Sequence, residues 1–194
     1  MDHSFWYLTR ASGFVAYLLI FASLVMGLVM TGDLSGRWYR RFQVYDLHRF
    51  LSLFTLAFTV FHAMVVLPDA YIGFNLWELI VPFASPYRPG YMALGVIGLH
   101  LMGLAAGSFY LRHLIGYRTW RFLHYVTFVA FVAAFIHGIG AGSDSDTSWA
   151  PYLYAVTGLV AFNLLVYRAL KGSARGLPAA ARRDEPASLD STAA

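Results

Sequence analysis

The chain contains no cysteine among its 194 residues, and only 12% of its residues are charged. The absence of cysteine excludes disulfides, iron–sulfur clusters and thiolate metal sites. A soluble domain has about 25% charged residues, so the low charge, together with 59% hydrophobic residues, predicts a membrane protein. The net charge of +4 does not indicate nucleic-acid binding, because the basic residues lie between apolar runs and act there as a topology signal.

Five apolar segments are each long enough for a helix to cross a hydrocarbon core of about 30 Å, which takes roughly 20 residues. No turn residues interrupt them, and their length excludes a strand barrel. We predict an all-α membrane bundle of five transmembrane helices over residues 1–170, followed by a disordered cytoplasmic tail over residues 171–194. The predicted spans are Trp6–Met30, Leu47–Leu67, Tyr91–Leu111, Phe122–Gly140 and Pro151–Leu170.

Arginine and lysine are concentrated on one set of flanks, whereas the opposite flanks hold only Arg10 and Arg88. The positive-inside rule therefore predicts an outer N-terminus and a cytoplasmic C-terminus, in a multi-pass protein of the cell (inner) membrane. The basic flanks hold Arg37, Arg40, Arg41, Arg49, Arg112, Arg118, Arg121, Arg168, Lys171 and Arg175.

The outer connection, residues 69–90, contains an apolar stretch that is too short to span the membrane. This stretch is Phe74–Phe83, and prolines close it. We predict that it lies along the membrane surface in contact with lipid.

Four histidines lie within the predicted spans, two on the second and two on the fourth. An ionisable residue inside a membrane segment is a functional hypothesis by default, because its burial without a partner is costly. His48 and His62 are fourteen residues apart, so they share a helix face and lie ~21 Å apart along the axis. The predicted topology puts His48 and His124 at the cytoplasmic side and His62 and His137 towards the outside, which gives two levels.

The second pair fits simple helix geometry less well. His124 and His137 are thirteen residues apart, which on a straight helix places them roughly 140° out of phase. We expect the helix to tighten or unwind near His137, where Gly138 and Gly140 follow and permit such a departure.

The histidines favour haem over other metals. Two opposed imidazoles at one level suit a haem iron, which takes axial ligands from both sides of a flat ring. Zinc takes three or four converging ligands, usually with Asp, Glu or Cys among them. Here every Asp and Glu lies outside the apolar cores. The lack of buried carboxylates also counts against a proton-coupled transporter.

The two histidine spacings, together with the sequence RTWRFLH at Arg118–His124, resemble the ferric reductase-like transmembrane domain superfamily. That superfamily includes NADPH oxidases, ferric reductases and the haem subunit of bacterial methionine sulfoxide reductase systems. The resemblance covers Trp6–Leu170, and the thirteen-residue spacing is a feature of the family. It implies two stacked haem b groups, with His48 and His124 as ligands of the inner iron and His62 and His137 as ligands of the outer iron.

The sequence departs from the oxidases because we find no flavin or nicotinamide domain. The tail after Leu170 is too short for one, and no G-x-G-x-x-G follows a strand. We therefore expect a haem-dependent oxidoreductase component without an NADPH oxidase activity of its own.

Four arginines are candidate contacts for the haem propionates, since a guanidinium matches a carboxylate bidentately. Arg49 and Arg121 are placed for the inner haem, and Arg10 or Arg88 for the outer one. Arg10 and Arg88 are the more informative pair because they break the positive-inside rule.

The remaining polar residues are weaker candidates. His100 lies in a glycine-rich helix and is predicted to face neighbouring helices, with a hydrogen bond to haem or substrate as the alternative. His113 and His3 are predicted to be solvated. Asp144 and Asp146 lie in a loop and are weak candidates for cation contacts.

The leading hypothesis is transmembrane electron transfer through two bis-histidine haems. The donor would be a separate flavoprotein reductase or a quinol, and the acceptor would be a ferric chelate, oxygen or an exported oxidoreductase on the outer side. Two rivals stay open. One is a haem-free, histidine-lined metal transporter, and the other is a haem-bearing membrane anchor for a partner oxidoreductase.

Overall fold

The computed structural model describes residues 4–31, 41–68 and 73–175. Every regular element in these ranges is a helix, which confirms the all-α fold class. The helices are α1 (Ser4–Thr31), α2 (Arg41–Val65), α3 (Leu76–Ile80), α4 (Pro89–Ile115), α5 (Tyr117–His124), α6 (Val126–Ala141) and α7 (Ala150–Arg175).

Five stretches of these helices are long and apolar enough to cross a membrane, in the predicted order. In each span, no more than 28% of the residues of its most apolar stretch are buried inside the chain. The apolar side chains therefore face outward, as a lipid environment requires. The spans are Ser4–Met30, Gln43–Val65, Pro89–Ile115, Tyr117–Ala141 and Ala150–Lys171.

The C-terminal helix extends further than the sequence indicated. The helix α7 continues to Arg175, so residues 171–175, which were predicted to belong to the disordered tail, are helical. The rest of that tail, residues 176–194, lies outside the described residues, as do His3, Arg37 and Arg40.

The helix α1 packs against α2, α6 and α7, while α4 packs against α2, α5 and α6. The buried core joins α1, α6 and α7 through aromatic rings. Tyr17 lies 6.1 Å from Phe131 and 5.0 Å from Tyr154, measured between ring centres, and its hydroxyl lies 2.5 Å from the Thr157 hydroxyl. These contacts fix α1 relative to α6, the helix that carries His137.

The described part of the outer connection, from residue 73 onward, packs against the ends of α2 and α4. Val66, Phe74 and Leu79 form a small buried cluster, and the Asn75 side chain caps α3 by accepting from the Glu78 amide at 3.1 Å. The opposite side of this segment is apolar and exposed. It consists of Leu76, Trp77, Ile80 and Phe83.

The sequence predicts that the fourth span is a single helix. In the structure it consists of two helices, α5 and α6, joined at Tyr125. The Tyr125 amide donates to the Phe122 carbonyl at 3.0 Å, and the Phe128 amide donates to the Tyr125 carbonyl at 3.1 Å. These i→i+3 bonds tighten the helix locally. The Thr127 hydroxyl donates to the His124 carbonyl at 2.8 Å, and such a side-chain bond competes with the regular helical ladder.

The expected departure near His137 is therefore wrong in its position. The helix α6 continues past His137 to Ala141, and the tightened turn lies beside His124 instead. The glycines after His137 do not interrupt the helix.

Reporter fusions test the orientation that the positive-inside rule predicts. Alkaline phosphatase folds only outside the cytoplasm. We expect it to be active when fused after Ser143, between α6 and α7, and inactive when fused after Gly116, between α4 and α5. The opposite pattern of activity at the two junctions would reverse the topology.

Candidate functional site

The structure brings the four histidines together as two facing pairs. The ring centres of His48 and His124 lie 6.1 Å apart, with an interplanar angle of 86°. The ring centres of His62 and His137 lie 6.4 Å apart, with an angle of 72°. Each pair takes one ring from α2 and one from the α5–α6 span, so the pairs lie at the two ends of α2.

Two backbone carbonyls of α1 orient the two histidines of α2. The Nδ1 atom of His48 lies 3.0 Å from the Ser23 carbonyl oxygen, and Nδ1 of His62 lies 3.1 Å from the Thr9 carbonyl oxygen. A carbonyl oxygen can only accept, so each Nδ1 carries the proton and donates it. The Nε2 atom of each ring is then unprotonated and available as a metal ligand.

Glycines on α1 let these two rings approach its backbone. A Cβ atom added at Gly13 would lie 3.0 Å from Cε1 of His62, and one added at Gly27 would lie 3.3 Å from Cε1 of His48. In both places the glycine is four residues after the residue whose carbonyl accepts the imidazole proton, Thr9 or Ser23. We call this arrangement of a carbonyl and a glycine four residues later a glycine seat.

The helix α4 supplies a third glycine seat, for His137. The Nδ1 atom of His137 donates to the Tyr91 carbonyl oxygen at 2.8 Å, and Gly95 follows four residues later. A Cβ atom at Gly95 would lie 2.7 Å from both Cε1 and Nδ1 of His137. Real Cβ contacts are longer than this, so the ring occupies space that any other residue would fill.

His124 is supported differently. The Trp120 ring, one turn earlier on α5, stacks on His124 with ring centres 5.5 Å apart and an angle of 27°. Phe109 of α4 makes an edge contact with Trp120, with ring centres 6.3 Å apart. The aromatic contacts therefore orient this fourth ring.

A cavity of about 620 Å³ surrounds the His62–His137 pair. This volume is within the range of cofactor sites, roughly 300–1,000 Å³. Apart from a few polar groups, its lining is apolar and comes from all of the long helices that meet at this end. The cavity residues include Thr9, Arg10, Gly13, Thr59, Gly95 and Met102.

Arg10 lines this cavity and is held by a buried carboxylate from the loop between α6 and α7. The Arg10 Nε atom donates to Asp144 Oδ2 at 2.7 Å, and its Nη2 atom contacts Asp144 Oδ1. Asp144 is only 4% exposed, and the Arg10 guanidinium lies 4.2 Å from the Trp6 ring centre. The loop carboxylate is thus an ion-pair partner of Arg10. It is a buried carboxylate, contrary to the expectation that the protein lacks one.

Arg88 and Arg121 are hydrogen-bonded to other parts of the chain. Arg88 donates to the Gly140 carbonyl at 2.5 Å, and Arg121 donates to the hydroxyls of Tyr125 at 3.3 Å and Tyr117 at 3.2 Å. Arg49 is exposed on α2.

His100 does not lie at either pair. Its side chain is exposed on the surface of α4, so the expectation that it faces neighbouring helices is wrong for the described chain. His113 and Asp146 are also exposed.

The two pairs offer two nitrogen ligands each. Among the described residues, no three side chains of His, Cys, Asp or Glu converge on one point, whereas a protein zinc site takes three or four ligands. Two opposed ligands suit a metal that already has equatorial ligands of its own, as haem iron has.

Sequence reasoning missed the glycine seats, although a signal was present. Gly13 and Gly27 are fourteen residues apart, the same spacing as His48 and His62 on the neighbouring helix. A glycine inside a helix costs about 1 kcal/mol relative to alanine, so glycines that repeat at the histidine spacing indicate a structural role.

Substitution of a seat glycine should destabilise the protein. Gly95→Ala forces the His137 ring to move, and overpacking of this kind costs about 1–3 kcal/mol. Gly103→Ala on the same helix is the matched control, since no atom lies within 4 Å of its added Cβ. Thermal unfolding followed by circular dichroism should show a lower Tm for Gly95→Ala and an equal or higher Tm for Gly103→Ala. Equal Tm values for the two variants would contradict the seat.

Comparison with known proteins identifies the family of the chain. A search of curated proteins and a search of solved structures each found no similar protein. The family model described as "Ferric reductase like transmembrane component" matches residues 12–135, which is more than half of the chain. The match includes His48, His62 and His124 and ends just before His137. The chain is therefore a multi-pass membrane protein that belongs to the ferric reductase-like transmembrane component family.

Proposed function

We propose that this chain transfers electrons across a membrane and that its two histidine pairs each hold one haem b. The observation that carries the proposal is that two imidazoles face each other at each of two levels. The ring centres of each pair lie no more than 6.4 Å apart. Family membership supports it, since the matched family is named for ferric reductases.

The ring distances fit a metal ion between the two rings of each pair. With a metal–nitrogen bond of about 2.0 Å and a nitrogen about 1.1 Å from its ring centre, two opposed imidazoles have ring centres about 6.2 Å apart. The measured distances of 6.1 and 6.4 Å agree with this value. The Nδ1 bonds of His48, His62 and His137 support the same arrangement, because they leave Nε2 as the ligand atom.

In this proposal the chain binds the two haems, orients them and shields them from water. His48 and His124 hold the inner group, and His62 and His137 hold the outer one. With two histidines at each level as ligands, neither bound haem would have a position left for ligand chemistry. The apolar cavity lining would limit contact of the outer group with water. Arg10, whose Nε and Nη2 atoms pair with Asp144, can donate from Nη1 to a propionate at the outer level. Bound haem supplies the one-electron redox chemistry.

The two levels support transfer across the membrane. Their ligands on α2 are fourteen residues apart, so the levels are ~21 Å apart within a hydrocarbon core of about 30 Å. We propose the cell (inner) membrane, with the His48–His124 level at the cytoplasmic side.

Donor and acceptor are proposed by chemical class. A separate flavoprotein reductase or a quinol is the proposed donor, and an exported oxidoreductase is the proposed acceptor. The absorption spectrum reports whether the haem is reduced. Adding each donor separately to the same protein and comparing the spectra distinguishes the two donors.

Haem content tests the proposal and separates it from a haem-free transporter. The pyridine haemochromogen of the purified protein should give two haems per chain, and His62→Ala and His48→Ala should each give one. His100→Ala is the matched control and should retain two haems, because the His100 side chain is exposed on the surface of α4 and lies at neither histidine pair. A wild-type yield near zero would overturn the electron-transfer proposal, and unchanged spectra in His62→Ala would overturn the ligand pairing.

A further inference from the structure

Two buried polar atoms have no hydrogen-bond partner within the described part of the chain. They are the Thr9 hydroxyl oxygen and the Trp120 indole nitrogen. A buried polar group without a partner costs about 1–3 kcal/mol, and such groups are rare enough in folded proteins that each requires an explanation.

The two atoms are distributed one to each histidine level. Thr9 lines the cavity around His62 and His137, and its own carbonyl accepts the Nδ1 proton of His62. Trp120 stacks on His124, which faces His48 at the other level. A missing partner at both levels therefore points to the group that each level holds.

The chemistry of the two atoms limits what that partner is. An indole N–H can only donate, and a threonine hydroxyl can donate to any acceptor. The inner level therefore requires an acceptor on the bound group, and an acceptor at the outer level would also satisfy the Thr9 hydroxyl. At the outer level Arg10, the next residue after Thr9, also lines the cavity. Two of its guanidinium nitrogens pair with Asp144, and Nη1 can donate to the same acceptor as the Thr9 hydroxyl.

We infer that the Trp120 indole N–H and the Thr9 hydroxyl are positioning donors that bind acidic substituents of the inner and outer haem respectively. The inference rests on the proposed function and adds two residues that the axial ligand pattern does not include. Trp120 has two roles in this inference. Its ring orients His124, and its N–H binds the edge of the inner haem that His124 holds. The propionate carboxylates of haem b are the hydrogen-bond acceptors that the Trp120 N–H and the Thr9 hydroxyl would bind.

The test uses conservative substitutions in the full-length protein with its haem. Trp120→Phe keeps an aromatic ring against His124 and removes the N–H, and Thr9→Val keeps the shape and removes the hydroxyl. Transfer of haem to excess apomyoglobin measures the loss rate at each level, and the single-haem variants His62→Ala and His48→Ala assign the two phases. Trp77→Phe is the matched control, because Trp77 is exposed on α3.

The expected outcome is specific to each level. Loss of a hydrogen bond to a charged acceptor should speed haem release by about 10- to 100-fold. Trp120→Phe should speed the phase assigned to the inner level only, and Thr9→Val the phase assigned to the outer level only. Trp77→Phe should leave both phases unchanged. In a redox titration, the midpoint potential of the affected component should fall and that of the other should not.

Three results would overturn the inference. The first is haem release at the wild-type rate in both variants. The second is faster release at both levels in each variant together with a lower Tm, which indicates general destabilisation. In the third, wild-type protein purifies without haem, and this outcome overturns the proposed function as well. The first two results leave the proposed function intact.

Discussion

The arrangement of the two histidine pairs depends on hydrogen bonds from imidazole Nδ1 atoms to backbone carbonyls of a neighbouring helix. A helix carbonyl is normally shielded by the side chain four residues later, and a glycine at that position removes the shield. Gly13, Gly27 and Gly95 each create such a seat for one histidine. The bond fixes both the direction of the ring and its tautomer, so the backbones of α1 and α4 determine how three of the four histidines are presented.

The same constraint sets the distance between the two levels. Along α1 the seats at Thr9 and Ser23 are fourteen residues apart, and along α2 the histidines are fourteen residues apart. Fourteen residues make about four turns, so two neighbouring helices keep both contacts on their facing sides. The aromatic core around Tyr17 then joins α1 to α6 and α7, which brings His137 to the outer level.

Much of this architecture follows from the sequence because apolar length and helical spacing are local properties. The five spans and the common face of His48 and His62 needed no tertiary information. The tightened turn at Tyr125 was misplaced because it depends on the Thr127 hydroxyl taking the His124 carbonyl, a choice that hydropathy does not show. The Arg10–Asp144 pair joins residues 134 positions apart, and the exposure of His100 depends on how α4 is rotated against its neighbours. Neither can be read from a local pattern.

The central claim is that electrons cross the bilayer through this chain. The direct measurement uses vesicles that contain the purified haem protein, with ferricyanide trapped inside and dithionite added outside. The wild-type protein should bleach the trapped ferricyanide, whereas His62→Ala, which keeps only the inner pair, should leave it oxidised. Wild-type vesicles with full haem content and intact ferricyanide would contradict the account and favour a membrane anchor. Equal bleaching by wild type and His62→Ala would contradict it too.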